Sequence, residues 1–244
     1  MRSLRCKMVL VRDKLTARGL RRKGVKAFAL GNPMMDGFLK NACPIQLKNN
    51  RRLLLLCGSR SPEALDNFRR LIKAAQQIRS DKPLTLLTAL GSDPTVYEIE
   101  EILISLGFSK VFNSKIDADS CWGKDNLLIF IGVGKFYEWA CLAEVGLANA
   151  GTATEQLVGL GIPCVSLPGK GPQFKKSFAI KQSRLLGGAV IPCSNSRQFA
   201  LRVELLLFNN HFRERLSIIG SRRMGSNGGS AKIAANVLEL ISDS

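Results

Sequence analysis

The sequence predicts an α/β protein built on a doubly wound parallel sheet, and three observations carry that expectation. From Arg51 onward, short apolar runs alternate with segments of helical spacing. The runs are nearly continuous rather than alternating apolar with polar, which marks strands covered on both faces. At 244 residues and 45% hydrophobic content, the chain is long enough to bury a substantial core. Such alternation builds a Rossmann-like domain, whose ligands bind beyond the carboxyl ends of the strands. The loops after Cys57, Ala89, Ile131, Asn149 and Leu167 are therefore where a site is expected.

Residues 1–40 read as one strand–helix–strand unit, too small to fold alone. Strands are expected at Met8–Arg12 and Lys26–Leu30, with a helical turn at Thr16–Arg22 and a break at Gly31-Asn32-Pro33. Residues 41–50 are polar enough for a linker. The main domain, 51–211, holds strands at Leu53–Cys57, Leu84–Ala89, Lys110–Asn113, Leu127–Ile131, Val145–Asn149, Pro163–Leu167 and about Ala189–Ile191. Its helices run over Pro62–Ile78, through Val96, Ile99, Ile102, Leu103 and Leu106, and over Ser196–Phe208. Pro62 is expected in the first turn of its helix. Residues 212–244 return as C-terminal helices, the last an amphipathic one over Gly228–Ile241 after the turn Gly225-Ser226-Asn227-Gly228-Gly229.

Charge is unevenly spread. Residues 1–52 carry 14 Lys/Arg against Asp13 and Asp36, whereas 53–211 carry 17 against 14 acidic residues. Basic ends of this kind fit an anionic membrane surface or a phosphorylated substrate. No aromatic residues interleave with them as a base-stacking surface requires, so no nucleic acid is expected as a partner. The longest apolar runs fall well short of a membrane span, and the first residues lack a signal peptide's apolar core. A cytoplasmic protein, peripheral on the membrane, is the expectation. Seven scattered cysteines without a CxxC pair and one histidine, His211, argue for reduced structural thiols and against a metal site. No cofactor is expected.

The richest motif is Ala150-Gly151-Thr152-Ala153-Thr154-Glu155-Gln156, set between two apolar strands. Gly151 lets backbone approach a diphosphate, and the opening amides of the following helix point at negative charge. Glu155, one turn in, can accept hydrogen bonds from two ribose hydroxyls. The bland alternative is a Gly-Thr helix start with Glu155 complementing the dipole. Gly58-Ser59-Arg60 offers amides, a hydroxyl and a guanidinium to a diphosphate, or else Ser59 or Ser61 caps a helix and Arg60 is solvated. Gly132-Val133-Gly134 opens like a dinucleotide fingerprint, but Tyr137 stands where its third Gly belongs, so a cleft-lining loop is expected. Asn32 and Asp36 are expected to shape an interdomain hinge. Arg222 and Arg223 face either the cleft or a membrane.

Gly31-Asn32-Pro33-Met34-Met35-Asp36-Gly37, Cys57-Gly58-Ser59-Arg60, Ala150–Gln156, Pro168-Gly169-Lys170-Gly171-Pro172-Gln173-Phe174 and Arg223-Met224-Gly225 occur in an order that resembles lipid-A-disaccharide synthase-related proteins. The resemblance runs from about Val9 to Leu240. It implies the C-terminal half of a GT-B glycosyltransferase fold, with a UDP-sugar as donor and a lipid-linked sugar as acceptor. It also implies that Gln173 meets a donor sugar hydroxyl and Lys170 a phosphate, against the alternative of a surface loop. Together with Asn32 and Asp36, Arg223 is expected at the hinge or cleft. Cys57 replaces the Pro usual before Gly-Ser-Arg. Most of the acceptor-side domain expected of the family, and with it the catalytic base, has no counterpart in this sequence. A separate N-terminal half would complete it; a homo-oligomer is the other partner expected, and Val9, Val11, Phe28 and Leu30 are expected to lie exposed. Two other readings stay open: a non-catalytic UDP-sugar-binding protein, and a UDP-sugar 2-epimerase, which a single histidine disfavours.

Overall fold

A parallel pair opens the chain: Val9–Leu10 (β1) and Ala27–Phe28 (β2), joined by the helix Lys14–Arg21 (α1). The computed structural model describes residues 6–38, 43–112, 116–169 and 175–242, apart from the Gln46 side chain. Asp13 caps α1 through both oxygens, accepting from the Thr16 amide at 2.8 Å and the Thr16 hydroxyl at 2.7 Å. Val9, Val11, Phe28 and Leu30, expected to be exposed, are half-buried, because α1 covers one side of the pair and buries Ala17 and Ala27. A 3-10 turn at Pro33–Met35 follows. A second, at Ile45–Leu47, lies in the segment read as a linker and seats Leu47 in the core at 1% exposure.

The main sheet then builds up from Arg51–Leu56 (β3), Leu84–Leu90 (β4), Ser109–Lys110 (β5), Ser120–Lys124 (β6), Leu127–Val133 (β7), Val145–Ala148 (β8), Cys164–Ser166 (β9) and Val190–Pro192 (β10). Its order is β10-β9-β8-β3-β4-β7-β6-β5. Six strands are parallel; β5 and β6 return antiparallel along the edge, so the sheet is mixed rather than wholly parallel. The sequence reading missed β6 because Ser120-Cys121-Trp122-Gly123-Lys124 has no apolar run. The strand expected at Lys110–Asn113 pairs only over Ser109–Lys110, and Asn113 lies outside the described residues.

Helices cover both faces. Glu63–Ala75 (α2) and Val96–Ser105 (α3) follow β3 and β4. Pro62 occupies the N-cap of α2 rather than its first turn. Phe68, Leu71 and Ile72 sit at helical spacing and are fully buried against Leu53, Leu55 and Leu86. A reciprocal Thr95–Glu98 capping box starts α3. Phe136–Ala140 (α4), Thr152–Gly159 (α5) and Lys176–Leu185 (α6) link the remaining strands, and Ser196–Phe208 (α7) follows β10. Asn210–Met224 (α8) packs on α5 and α7, so the boundary drawn at 211 falls inside a helix that belongs to the sheet's own outer layer. Gly229–Ser242 (α9) ends the described chain.

The front unit is fastened to these last helices by polar contacts. Asn32 is 1% exposed; its amide donates to Ser226 O at 2.8 Å and its side chain to Met224 O at 2.7 Å. Asp36 receives the backbone amides of Gly228 (2.5 Å), Gly229 (3.3 Å) and Ser230 (2.8 Å) at the start of α9. The Ser230 bonds, followed by those of Gly228 and Gly229, hold its carboxyl below the usual range. A Cβ on Gly229 would come within 2.6 Å of Pro33 N, so only glycine permits this approach.

Candidate functional site

Strand order reverses between β3 and β8. From β3 the chain steps outward to β4 and β7, then crosses back to β8 and steps outward again to β9 and β10. Loops leaving β3 and β8 at their carboxyl ends therefore diverge and leave a crevice, the usual ligand position in open α/β sheets. Leu56 pairs with Ala148, so Gly58-Ser59-Arg60 and Ala150-Gly151-Thr152 leave the sheet side by side. The two sequence motifs meet at this point.

Three buried side chains hold the crevice floor. Asn149 donates to Leu167 O at 2.8 Å and accepts from Ser166 Oγ and the Leu167 amide, both at 3.1 Å. Asn67 of α2 donates to Cys57 O at 3.3 Å and meets Asn149 Nδ2 at 3.5 Å. Gln182 of α6 donates to Ala150 O and Gly151 O at 3.3 and 3.2 Å. These amides tie the ends of β3, β8 and β9 into one platform. Satisfied buried networks of this kind rigidify a site. Burial pushes the Cys57 thiol beneath the first loop up to about 12, so it remains protonated at neutral pH.

On the β3 side, Gly58 adopts φ 103°, and Ser59 and Arg60 are exposed. The Arg60 guanidinium has no hydrogen-bond or ion-pair partner among the described residues. Ser61 donates its amide and hydroxyl to Asp93 at 2.7 and 2.8 Å, which ties this loop to the one after β4. On the β8 side, α5 begins at Gly151 with no side-chain cap. The amides of its first turn are thus available to an anion. Thr152 is exposed beside them.

Not every expected residue faces outward. Thr154 is fully buried, its hydroxyl donating to Ala150 O at 2.7 Å. Gln156 donates to Met34 O at 2.8 Å and so joins the front unit to α5. Glu155 is bonded by Arg12 Nη1 at 2.6 Å, an ion pair across 143 residues. Lys170 and Gln173 lie outside the described residues. Arg223 lines a cavity with the front unit, while Asn32 and Asp36 form the fastening described above. The loop after β7 does not offer a dinucleotide cradle: Trp139 lies over Gly132, whose Cβ would sit 2.5 Å from the ring, and Tyr137 stacks on Phe38 at 4.6 Å.

The sequence reading gave no site role to Arg12, Asn67, Asn149, Gln182 or Asp93. Asn67 and Asn149 do leave a trace, since each is a polar residue within an apolar face or run, where a satisfied buried partner is the usual explanation. Among the described residues no group of three His, Cys, Asp or Glu side chains could hold a metal ion. No described helix is long and apolar enough to cross a membrane. His211 is exposed at the start of α8.

No protein-family model matches the chain, and no curated relative does. Solved structures do match. A Listeria monocytogenes protein described as a UDP-N-acetylglucosamine 2-epimerase superposes with a TM-score of 0.66 at 15% identity, over 98% of this chain and 61% of its own. S. aureus MnaA in complex with UDP gives 0.61 at 13% identity, over 97% and 60%. The calicheamicin glycosyltransferase CalG4 gives 0.56 at 17%, over 89% and 49%. The fold is therefore Rossmann-like and of the GT-B type, and the chain spans about half to three fifths of the length of these three structures.

Proposed function

We propose that this chain binds the donor in UDP-sugar-dependent hexosyl transfer of the lipid-A-disaccharide synthase-like kind, with a lipid-linked sugar as acceptor. The observation that carries the reading is the meeting of Gly58-Ser59-Arg60 and Gly151-Thr152 at the point where strand order reverses. There the free α5 amides and the unpartnered Arg60 guanidinium would hold the diphosphate. In direct displacement at the anomeric carbon, the same groups stabilise the departing UDP as its charge grows. Glu155 would take the ribose hydroxyls once it parts from Arg12. UDP in the S. aureus MnaA complex, and the sugar-nucleotide or glycosyl-transfer names of the other similar structures, support a nucleotide sugar as ligand.

The acceptor's proton needs a base. Two carboxylates at the crevice loops are already engaged, Glu155 by Arg12 and Asp93 by Ser61. We therefore assign the base to an acceptor-side half that lies outside these 244 residues. The basic ends fit an anionic membrane surface where such an acceptor would sit. A second reading, UDP-sugar 2-epimerase, is favoured by the TM-scores of 0.66 and 0.61. Against it, the chain's one histidine, His211, is exposed at the far start of α8.

Calorimetric titration with UDP, UDP-N-acetylglucosamine and NADH tests the proposal. UDP and UDP-sugar should bind while NADH does not, and an Arg60→Ala, Glu155→Ala double variant should lose the binding. No binding of either uridine ligand would overturn it. Incubation with UDP-N-acetylglucosamine, followed by NMR of the sugar protons, separates the two enzymatic readings: inversion at C2 without an acceptor means epimerase.

A further inference from the structure

A cavity of about 760 Å³ lies between the front unit and the end of α8. That volume falls in the range of roughly 300–1,000 Å³ usual for small-ligand pockets. One wall carries Arg12, Lys14 and Arg18, and the other Arg222 and Arg223. Asp13 is the only carboxylate among the described residues of its lining; it accepts from Thr16 with both oxygens and lies 3.8 Å from Arg12 Nε. Arg12 is paired with Glu155; Lys14, Arg18, Arg222 and Arg223 have no hydrogen-bond or ion-pair partner among the described residues.

Helix stability explains only part of this. Arg222 and Arg223 complete the last turn of α8, where cations complement the dipole. Lys14 does the opposite: it is the first residue of α1, whose first turn holds no acid, so its charge stands against the helix's positive end. Arg18 follows one turn later and faces the same cavity. The two walls are also held at fixed separation. A Cβ on Gly225 would lie 2.4 Å from Arg12 O, and one on Gly31 2.9 Å from Gly229 Cα. Cations gathered on two pinned walls repel one another and cost stability, unless an anion enters between them.

We propose that this cavity is an anion site for a phosphate- or pyrophosphate-bearing ligand with a body larger than a bare phosphate, such as a phosphorylated sugar. None of the residues of the Gly58–Arg60 and Ala150–Thr152 loops lines it, and the Arg12–Glu155 pair links it to that crevice. Arg222 and Arg223 grip the phosphoryl oxygens from one side, with Lys14 and Arg18 opposite, the guanidiniums offering forked donors. The inference does not rest on the donor reading, because none of these residues belongs to the donor loops.

Binding of inorganic pyrophosphate and of glucose 1-phosphate is measured by calorimetry on the full chain and on three variants. Saturable binding should weaken at least about tenfold in Arg222→Ala/Arg223→Ala, as expected for lost charge-assisted bonds. The same loss is expected in Lys14→Ala/Arg18→Ala, a pair of exposed residues on the other wall whose removal leaves the α8 contacts untouched. Both pairs are made in an Arg60→Ala background, which removes pyrophosphate held by the crevice's diphosphate loops and should itself keep the binding in this cavity. Binding that survives both pairs, binding abolished by Arg60→Ala, or no binding at all would overturn the proposal. Failure of UDP binding with pyrophosphate binding intact would overturn the donor reading alone. Phosphatidylcholine vesicles with and without phosphatidylglycerol are then added as competitors. Competition only by the anionic vesicles assigns the phosphate to a lipid headgroup, and its absence assigns it to a soluble phosphate ester; both support the site.

Discussion

The central sheet and the front unit are held together by different physics. In the sheet, β3 and β4 are apolar along most of their length, and Leu53, Leu54, Leu55, Leu86 and Leu87 are fully buried. Non-directional burial fixes this part, and many residues share the work. The front unit has only a two-stranded sheet; Ala17, Ala27 and Met35 are buried, Met35 against the main domain's core, and most other apolar positions are half-buried. A few directional contacts secure it: Asn32 on Met224 and Ser226, Asp36 on the start of α9, Gln156 on Met34 and Arg12 on Glu155. One region should therefore fail globally and gradually as its core is eroded. The other should detach locally when one contact is lost.

The strongest way to break that contrast is to empty the core. Phe68→Ala should cost about 3–5 kcal/mol and lower the melting temperature of the whole chain as one transition. Gly229→Ala comes next: its Cβ meets backbone atoms of Asn32 and Pro33, which cannot move aside as a side chain can. A loss of about 1–3 kcal/mol is expected. Hydrogen exchange should rise over residues 6–38 and α9 and stay unchanged in β3 and β4. Exchange that rises uniformly would show that the two regions are a single cooperative unit.

At the crevice, Arg60→Ala should weaken UDP binding about tenfold or more, close to 1.4 kcal/mol, without shifting the melting temperature. A lower melting temperature would mean that Arg60 supports the fold instead. Asp36 gives a pH arm. Its carboxyl is lowered in the folded chain, so its stabilisation is present at neutral pH and lost as pH falls through that lowered value, below the ordinary 3.8. Wild type should therefore melt above Asp36→Asn at pH 7, and the difference should vanish in acid. A difference that persists below that range would mean the carboxylate's charge is not what holds α9. The smallest effect is expected from Lys110→Ala, which breaks an exposed 3.3 Å pair with Glu100 and should change stability by less than about 1 kcal/mol.

Much of this was legible in the chain itself. The apolar runs located β3, β4, β7, β8 and β9, and the helical spacing of Leu65, Phe68, Leu71 and Ile72 located α2, because burial on both faces leaves its period in the sequence. Helices α4 and α6 and strand β6 were missed, as short or mixed-polarity segments carry too little periodic signal. Gly58, Ser59, Arg60, Gly151 and Thr152 lie on the loops that leave β3 and β8 at their carboxyl ends. Thr154 turned to a local bond with Ala150 O, four residues back, and Gln156 to Met34 O, which only the folded chain brings near.

The sequence by itself determined the alternation of strands and helices, and with it the loops able to hold a ligand, because hydrophobic periodicity is local and needs no partner to be read. Only the tertiary structure decided that Arg12 would meet Glu155, that Asn67, Asn149 and Gln182 would form one floor, and that five cations from α1, its entry and α8 would face one cavity. Those contacts join residues tens to hundreds of positions apart. Their existence depends on strand order and helix docking, which no local pattern encodes.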